Sequence, residues 1–210
     1  MARTRRADYI RSNRLTTLPV RDVAAAGRAA LAVLDAGDAA ARQAAGQRLL
    51  DLLAAGTGIK APELVVPDAP QPHRRRGGRI VYSLQGEYRR RQPLPGHPSL
   101  ARGGRPLGRI RVPHLTPARG SVVRPSAFLN TLLHEFCHHH DAEALGLLRS
   151  FHTAGFYARL RHLREQIARA SAEDPPLMAG LPSASLSAID RFWVSLRLSR
   201  KPRQRTEEVP

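Results

Sequence analysis

Residues 131–160 read TLLHEFCHHHDAEALGLLRSFHTAGFYARL, in which His134 and His138 enclose Glu135 in an H-E-x-x-H pattern. Phe128, Leu129, Leu132, Leu133 and Phe136 recur around it at helical spacing. The stretch therefore predicts a helix opened by Pro125 and Ser126, with Ser126 as N-cap and Gly146 as C-cap. On a helix, residues i and i+4 share one face, so both imidazoles can reach a single metal ion. The glutamate between them points beside the ion, where it can take a proton from an activated water and pass it to a leaving group. With 9 His in the chain, chance yields roughly 0.015 such patterns per shuffle, so the helical context favours a metal site over idle surface histidines.

A zinc hydrolase needs three protein ligands and one open position. A metzincin would require Gly at position 141 and His at 144; Asp141 and Ala144 stand there and reject that class. His152 and Glu165 remain as third-ligand candidates. His152 is the better placed, because a turn after Gly146 folds the next segment back over the metal. Asp141, three residues after His138, is expected on the metal face, accepting a hydrogen bond from a ligand imidazole. His139 and His140 turn away from the ligands, Cys137 reads as a small buried residue, and Tyr157 reads as packing. A second helix is expected over Thr153–Ala170, with Phe156, Leu160, Leu163 and Ile167 on one face.

The stretch resembles the core of the SprT-like zincin metallopeptidases, which include the Spartan proteases, and equally a closely similar bacterial family of small metallopeptidases. There the H-E-x-x-H helix is followed by His-Gly-x-x-aromatic. Here thirteen residues separate His138 from His152 and Phe156 supplies the aromatic, while Thr153 stands in place of the glycine. The likeness spans roughly residues 60–170. It implies a Zn2+ held by His134, His138 and His152, Glu135 as base, and hydrolysis of peptide bonds. The fold expected is α+β: a zincin-like domain with a small mixed sheet, the metal-bearing helix and an N-terminal helical pair. In zincins the edge strand beside the active-site helix binds substrate backbone by strand addition, and Arg109–Val112 is the candidate.

The rest of the chain sets limits. No run approaches the ~18 apolar residues of a membrane span. One cysteine excludes an internal disulfide framework and a four-cysteine zinc ribbon. The basic start lacks a following apolar region, so the expected compartment is the cytoplasm. Net charge is +17 from 34 basic residues, only Lys60 and Lys201 being lysine. Such Arg and Ala richness is partly what a high-GC genome produces. Yet Gln71–Arg124 holds 13 Arg against the single acid Glu87, or +12 of the total. That clustering favours an anionic partner, with Arg74, Arg75, Arg76, Arg89, Arg90 and Arg91 as candidate contacts for non-specific nucleic acid. The rival functions are a basic nucleic-acid-binding protein with a structural or degenerate zinc site, and a metal-dependent hydrolase of non-peptide amides.

Three segments are expected: a flexible basic arm over 1–19, the catalytic domain over 20–170, and a linker with a mostly disordered tail over 171–210. A helix from Val20 carries Val23, Ala26, Ala30, Val33 and Leu34 and stops at Asp35-Ala36-Gly37. Asp38 caps a second helix running to about Ala55, with Ala41, Ala45, Leu49, Leu52 and Leu53 inward. Strands are expected at Glu63–Val66, Arg79–Tyr82 and Gly108–Leu115, with loops over 71–78 and 89–107. Leu186–Leu198 reads as a helix or a strand.

Overall fold

The computed structural model describes residues 2–90, 108–147 and 152–172. Helices α1 (Ala2–Arg14), α2 (Val23–Asp35) and α3 (Ala39–Thr57) come first. Strands β1 (Glu63–Val65), β2 (His73–Arg76), β3 (Arg79–Ser83), β4 (Glu87–Arg90) and β5 (Gly108–Arg111) follow. Helices α4 (Pro125–Glu143) and α5 (Ala154–Ala172) close the order, an α+β architecture. No described helix is long and apolar enough to cross a membrane. Arg89 and Arg90, expected in a loop over 89–107, lie in β4, whereas the expectations for Arg91, for the rest of that loop, and for the tail with Leu186–Leu198 lie outside the described residues.

The helices start where short acids can cap them. Asp22 and Asp38 each accept a backbone N–H at 2.8 Å, satisfying amides that α2 and α3 leave open. Gly58, at φ 69°, ends α3 in the left-handed conformation. The buried face of α3 is Gly46, Leu49, Leu50 and Leu53 together with Arg42; Ala41 is exposed, contrary to its expected inward place. Arg42 tolerates full burial because it donates to the carbonyls of Ala36 and Val123 and lies 5.0 Å over the Phe128 ring. A Cβ on Gly46 would sit 2.5 Å from Leu64 Cδ2 and 3.3 Å from Leu132 Cδ2, so the absent side chain lets α3 approach both the sheet and α4.

The main sheet has the order β1-β5-β4, parallel then antiparallel. Its register puts Leu64, Ile110 and Tyr88 in one row, and Leu64 and Ile110 are buried. The rows on either side carry charge, including the Arg109–Glu63 pair at 3.1 Å. This is the period-2 alternation of a sheet with one face on the core. It also corrects the expected edge strand. β5, which holds Arg109–Arg111, is central, with both sides paired; β1 and β4 are the edges among the described residues, and β4 is the one that lines the cleft.

Two further expectations change. Residues 71–78 are not a loop: His73–Arg76 pairs with Arg79–Ser83 in an exposed hairpin, and Gly77 and Gly78, both at positive φ, form its two-residue turn. Residues 2–14 are not a flexible arm but helix α1, which packs on α5. Its docking uses backbone carbonyls and a hydroxyl rather than an apolar stripe, so hydrophobic periodicity carries no trace of it.

Candidate metal centre

α4 starts with Pro125 at its first position, where the missing N–H costs nothing, and Arg124 precedes it. The expected Ser126 N-cap is thus one residue inside the helix. At the other end Gly146, at φ 63°, turns the chain, and the N–H groups of Leu145 and Leu147 bond back to the carbonyls of His140 and Asp141. Phe128, Leu129, Leu132, Leu133 and Phe136 are fully buried and fix the helix's rotation. That rotation turns His134 and His138 into an open cleft of about 890 Å³.

His152, just before α5, meets them there. The three Nε2 atoms form a near-equilateral triangle: 3.2 Å between His134 and His138, and 3.0 Å from each of them to His152. Zinc–nitrogen bonds of about 2.0–2.1 Å at tetrahedral angles put ligand nitrogens about 3.3 Å apart, so the triangle fits one ion. The alternative is weak on simple parity. Each ring nitrogen is either donor or acceptor, so among three corners at least two are alike and repel. Burial, with the neighbouring imidazoles adding to it, lowers the pKa of both His134 and His138 to about 4, which favours the neutral rings a metal ion needs. The three histidines therefore lie close enough to hold a metal ion. Glu165 does not belong to this group.

Phe156 is the floor under the triangle. Its ring centroid lies 5.1, 4.6 and 5.2 Å from those of His134, His138 and His152. Tyr157 is half exposed and stacks on His152 at 5.9 Å.

Glu135 lies in the same cleft beside the start of β4. Burial is the main cause raising its pKa to about 7; the Tyr88 backbone N–H donates to it and opposes the rise, while Glu87 adds to it. A carboxyl poised there can both take and release a proton near neutral pH. Gly86 makes the approach possible: a Cβ there would lie 2.5 Å from Thr131 Cγ2 and 3.1 Å from Glu135 Oε1. Arg164 of α5 also lines the cleft, contributes to the lowering of the His134 pKa, and is held 3.5 Å from the Asn130 carbonyl.

Asp141, expected on the metal face, is buried on α4 and grips Arg159 with both carboxylate oxygens, at 2.9 and 2.7 Å. It remains near enough to His138 to oppose the lowering of that imidazole's pKa. His139 and His140 face away from the triangle but are core residues, not peripheral ones. The ring of His139 lies 2.8 Å from the Lys60 carbonyl and 3.3 Å from the Tyr88 hydroxyl. Cys137 is fully buried, and desolvation pushes its thiol pKa up.

The basic candidates divide into two groups. Arg74, Arg75 and Arg76 lie on the exposed hairpin strand. Arg89 and Arg90 are in β4 and already engaged, with Glu87 at 2.7 Å and Glu143 at 2.8 Å. Sequence reasoning missed Gly86, the Tyr88 amide and Arg159. A lone glycine beside a strand run signals close backbone approach and is the one cue for Gly86. Compared with known proteins, the chain matches no family model, no curated protein and no solved structure.

Proposed function

We propose that this chain is a zinc-dependent metallopeptidase of the zincin type, akin to the SprT-like enzymes. The observation that carries the reading is the convergence of three Nε2 atoms within 3.2 Å, with the Glu135 carboxyl in the same cleft. Zinc would supply Lewis-acid activation of water and carbonyl near neutral pH. Glu135 accepts the proton of the attacking water on a carboxylate oxygen and returns it to the departing amine. Substrate backbone lies along the outer edge of β4, whose Glu87 and Tyr88 line the cleft. Phe156 keeps the three imidazoles apart from the core and fixes their tilt. A base aimed into an open cleft argues against a purely structural zinc site.

A second element favours anionic company: the exposed arginines of β2. We propose that they hold an acidic protein or nucleic acid near the cleft. The single buried thiol suits a reducing cytoplasm. The deciding experiment is metal content of the purified chain paired with casein cleavage, with and without DNA, for the wild type and Glu135→Gln. Stoichiometric zinc with cleavage lost only in Glu135→Gln is the expected result. Zinc bound without any amide cleavage would leave the non-peptide or structural readings standing instead.

A further inference from the structure

We infer that the C-terminal end of α1, Ser12 to Leu15, is a built part of the metal centre and positions His152 through Thr153 and Arg159. The inference rests on the reading that the three histidines hold a metal ion. His134 and His138 are locked by one helix. His152 precedes α5 and is exposed, so its position depends on what holds the first turn of that helix.

The holding contacts converge from α1. Ser12 Oγ lies 2.7 Å from Thr153 Oγ1, and both residues are buried. Thr153 Oγ1 also accepts the Phe156 N–H at 3.0 Å, so one hydroxyl joins α1 to the capped start of α5. Asn13 Oδ1 accepts the Gly155 N–H at 3.2 Å. A Cβ on Gly155 would come within 1.9 Å of the Ser12 carbonyl oxygen and 2.8 Å of Asn13 Cα. Neither of those backbone atoms can yield, so glycine is what lets the two helices meet at this turn.

Arg159 triangulates the joint. It is fully buried, donates to the carbonyls of Ser12 and Leu15 and to Ser12 Oγ, and binds Asp141 bidentately. Asp141 lies three residues after His138. One guanidinium therefore ties the helix bearing His134 and His138, the helix start bearing His152, and the end of α1. In a low-dielectric interior such a paired, fully hydrogen-bonded cation holds its partners in one arrangement. Ser12, Thr153 and Arg159 are thus positioning residues that act on the third ligand from behind.

The test reads zinc affinity by chelator competition and Co2+ coordination by visible absorption, in folded full-length chains. Ser12→Ala leaves the Thr153 cap intact and removes the hydroxyl's links to Thr153 and Arg159. Thr153→Val removes both, and Thr153→Ser restores the hydroxyl. Ser12→Ala and Thr153→Val are expected to weaken zinc binding about 10- to 100-fold, as outer-shell changes do, and to alter the cobalt spectrum; Thr153→Ser is expected to stay near wild type. In a His152→Ala background, Ser12→Ala should then cost no further affinity, because its route to the metal is gone. Wild-type affinity in folded Ser12→Ala, or an equal additional loss in the His152→Ala background, would overturn the inference. Absence of zinc and cobalt binding in the wild type would instead overturn the metal reading itself.

Discussion

His134 and His138 reach the candidate metal position from one turn of α4, whereas His152 reaches it from just before α5, fourteen positions beyond His138. The first pair is held by local periodicity. Any stable helix with that buried face presents both imidazoles together. The third is held by tertiary contacts: Phe156 packs beneath it, and the Ser12–Thr153–Arg159 joint stands behind it. The two halves of one site thus differ in what can break them. The α4 half depends on its own helix and on Phe156 beneath it, while the α5 half is also exposed to changes far away in the chain.

Direct removal of ligands gives the largest effect and tests that asymmetry at its root. His134→Ala or His138→Ala should leave chains that retain no zinc after dialysis. His152→Ala should retain zinc with an affinity reduced by more than the about 10- to 100-fold of an outer-shell change. Full occupancy in His152→Ala would remove it from the ligand set. Next in size is the base. Glu135→Gln should keep the metal and lower hydrolysis about 100- to 10,000-fold, because an amide cannot accept the proton. Unchanged cleavage rates in that variant would end the proposed mechanism.

The structural side of the comparison is sharpened by Arg159→Met. It strips a buried carboxylate, Asp141, of its cation, which typically costs about 3–5 kcal/mol. At about 2–4 °C per kcal/mol for a chain of this size, the melting temperature should fall by roughly 6–20 °C. Adding Asp141→Asn should recover part of that loss, since the uncompensated charge is then gone. A double variant no more stable than Arg159→Met would show that the pair's charges are not the source of the effect.

The same asymmetry governs what the sequence discloses. The α4 pair, the α5 face of Phe156, Leu160, Leu163 and Ile167, and the Asp38 cap are all written at spacings of three or four residues. Each is set by local geometry, and each is found where periodicity puts it. The α1 joint is written in Ser12, Asn13, Thr153, Gly155 and Arg159, more than 140 positions apart across its hydrogen bonds. No window of sequence contains it. An Arg-rich start reads as a solvated arm because composition cannot reveal a buried guanidinium in another helix that donates to its backbone carbonyls. Arg109–Val112 reads as an edge for a related reason: alternation marks a strand's faces and is silent on its neighbours.

The smallest effects on fold and metal are expected at the arginines of the β2–β3 hairpin, which reaches the cleft through Ser83 at the end of β3. Its strand residues Arg74, Arg75 and Arg76 are exposed, as are Tyr82, which pairs with Arg74, and Val81 at the bulge. Replacing the three arginines with glutamine should change stability by no more than about 0.5 kcal/mol and leave zinc affinity at its wild-type value. Binding to nucleic acid should respond instead. Each phosphate contact releases counterions, so a gel-shift titration at ~50 and ~200 mM salt should show affinity falling by orders of magnitude for the wild type and less steeply for the triple variant. The loss should be alike for all sequences, because an arginine strand with few stacking aromatics reads charge and not bases. Arg89→Gln with Arg90→Gln provides the internal contrast. Those two side chains are already paired with Glu87 and Glu143, so freeing them for phosphate costs an ion pair each, and their removal should weaken binding less than the hairpin change does. An equal loss from both variants would spread the anion over the hairpin and β4 alike, and a loss confined to the Arg89 and Arg90 variant would place it beside the cleft and not on the hairpin. No binding to single- or double-stranded nucleic acid at the lower salt would leave the hairpin an idle basic surface, with the metal centre unaffected.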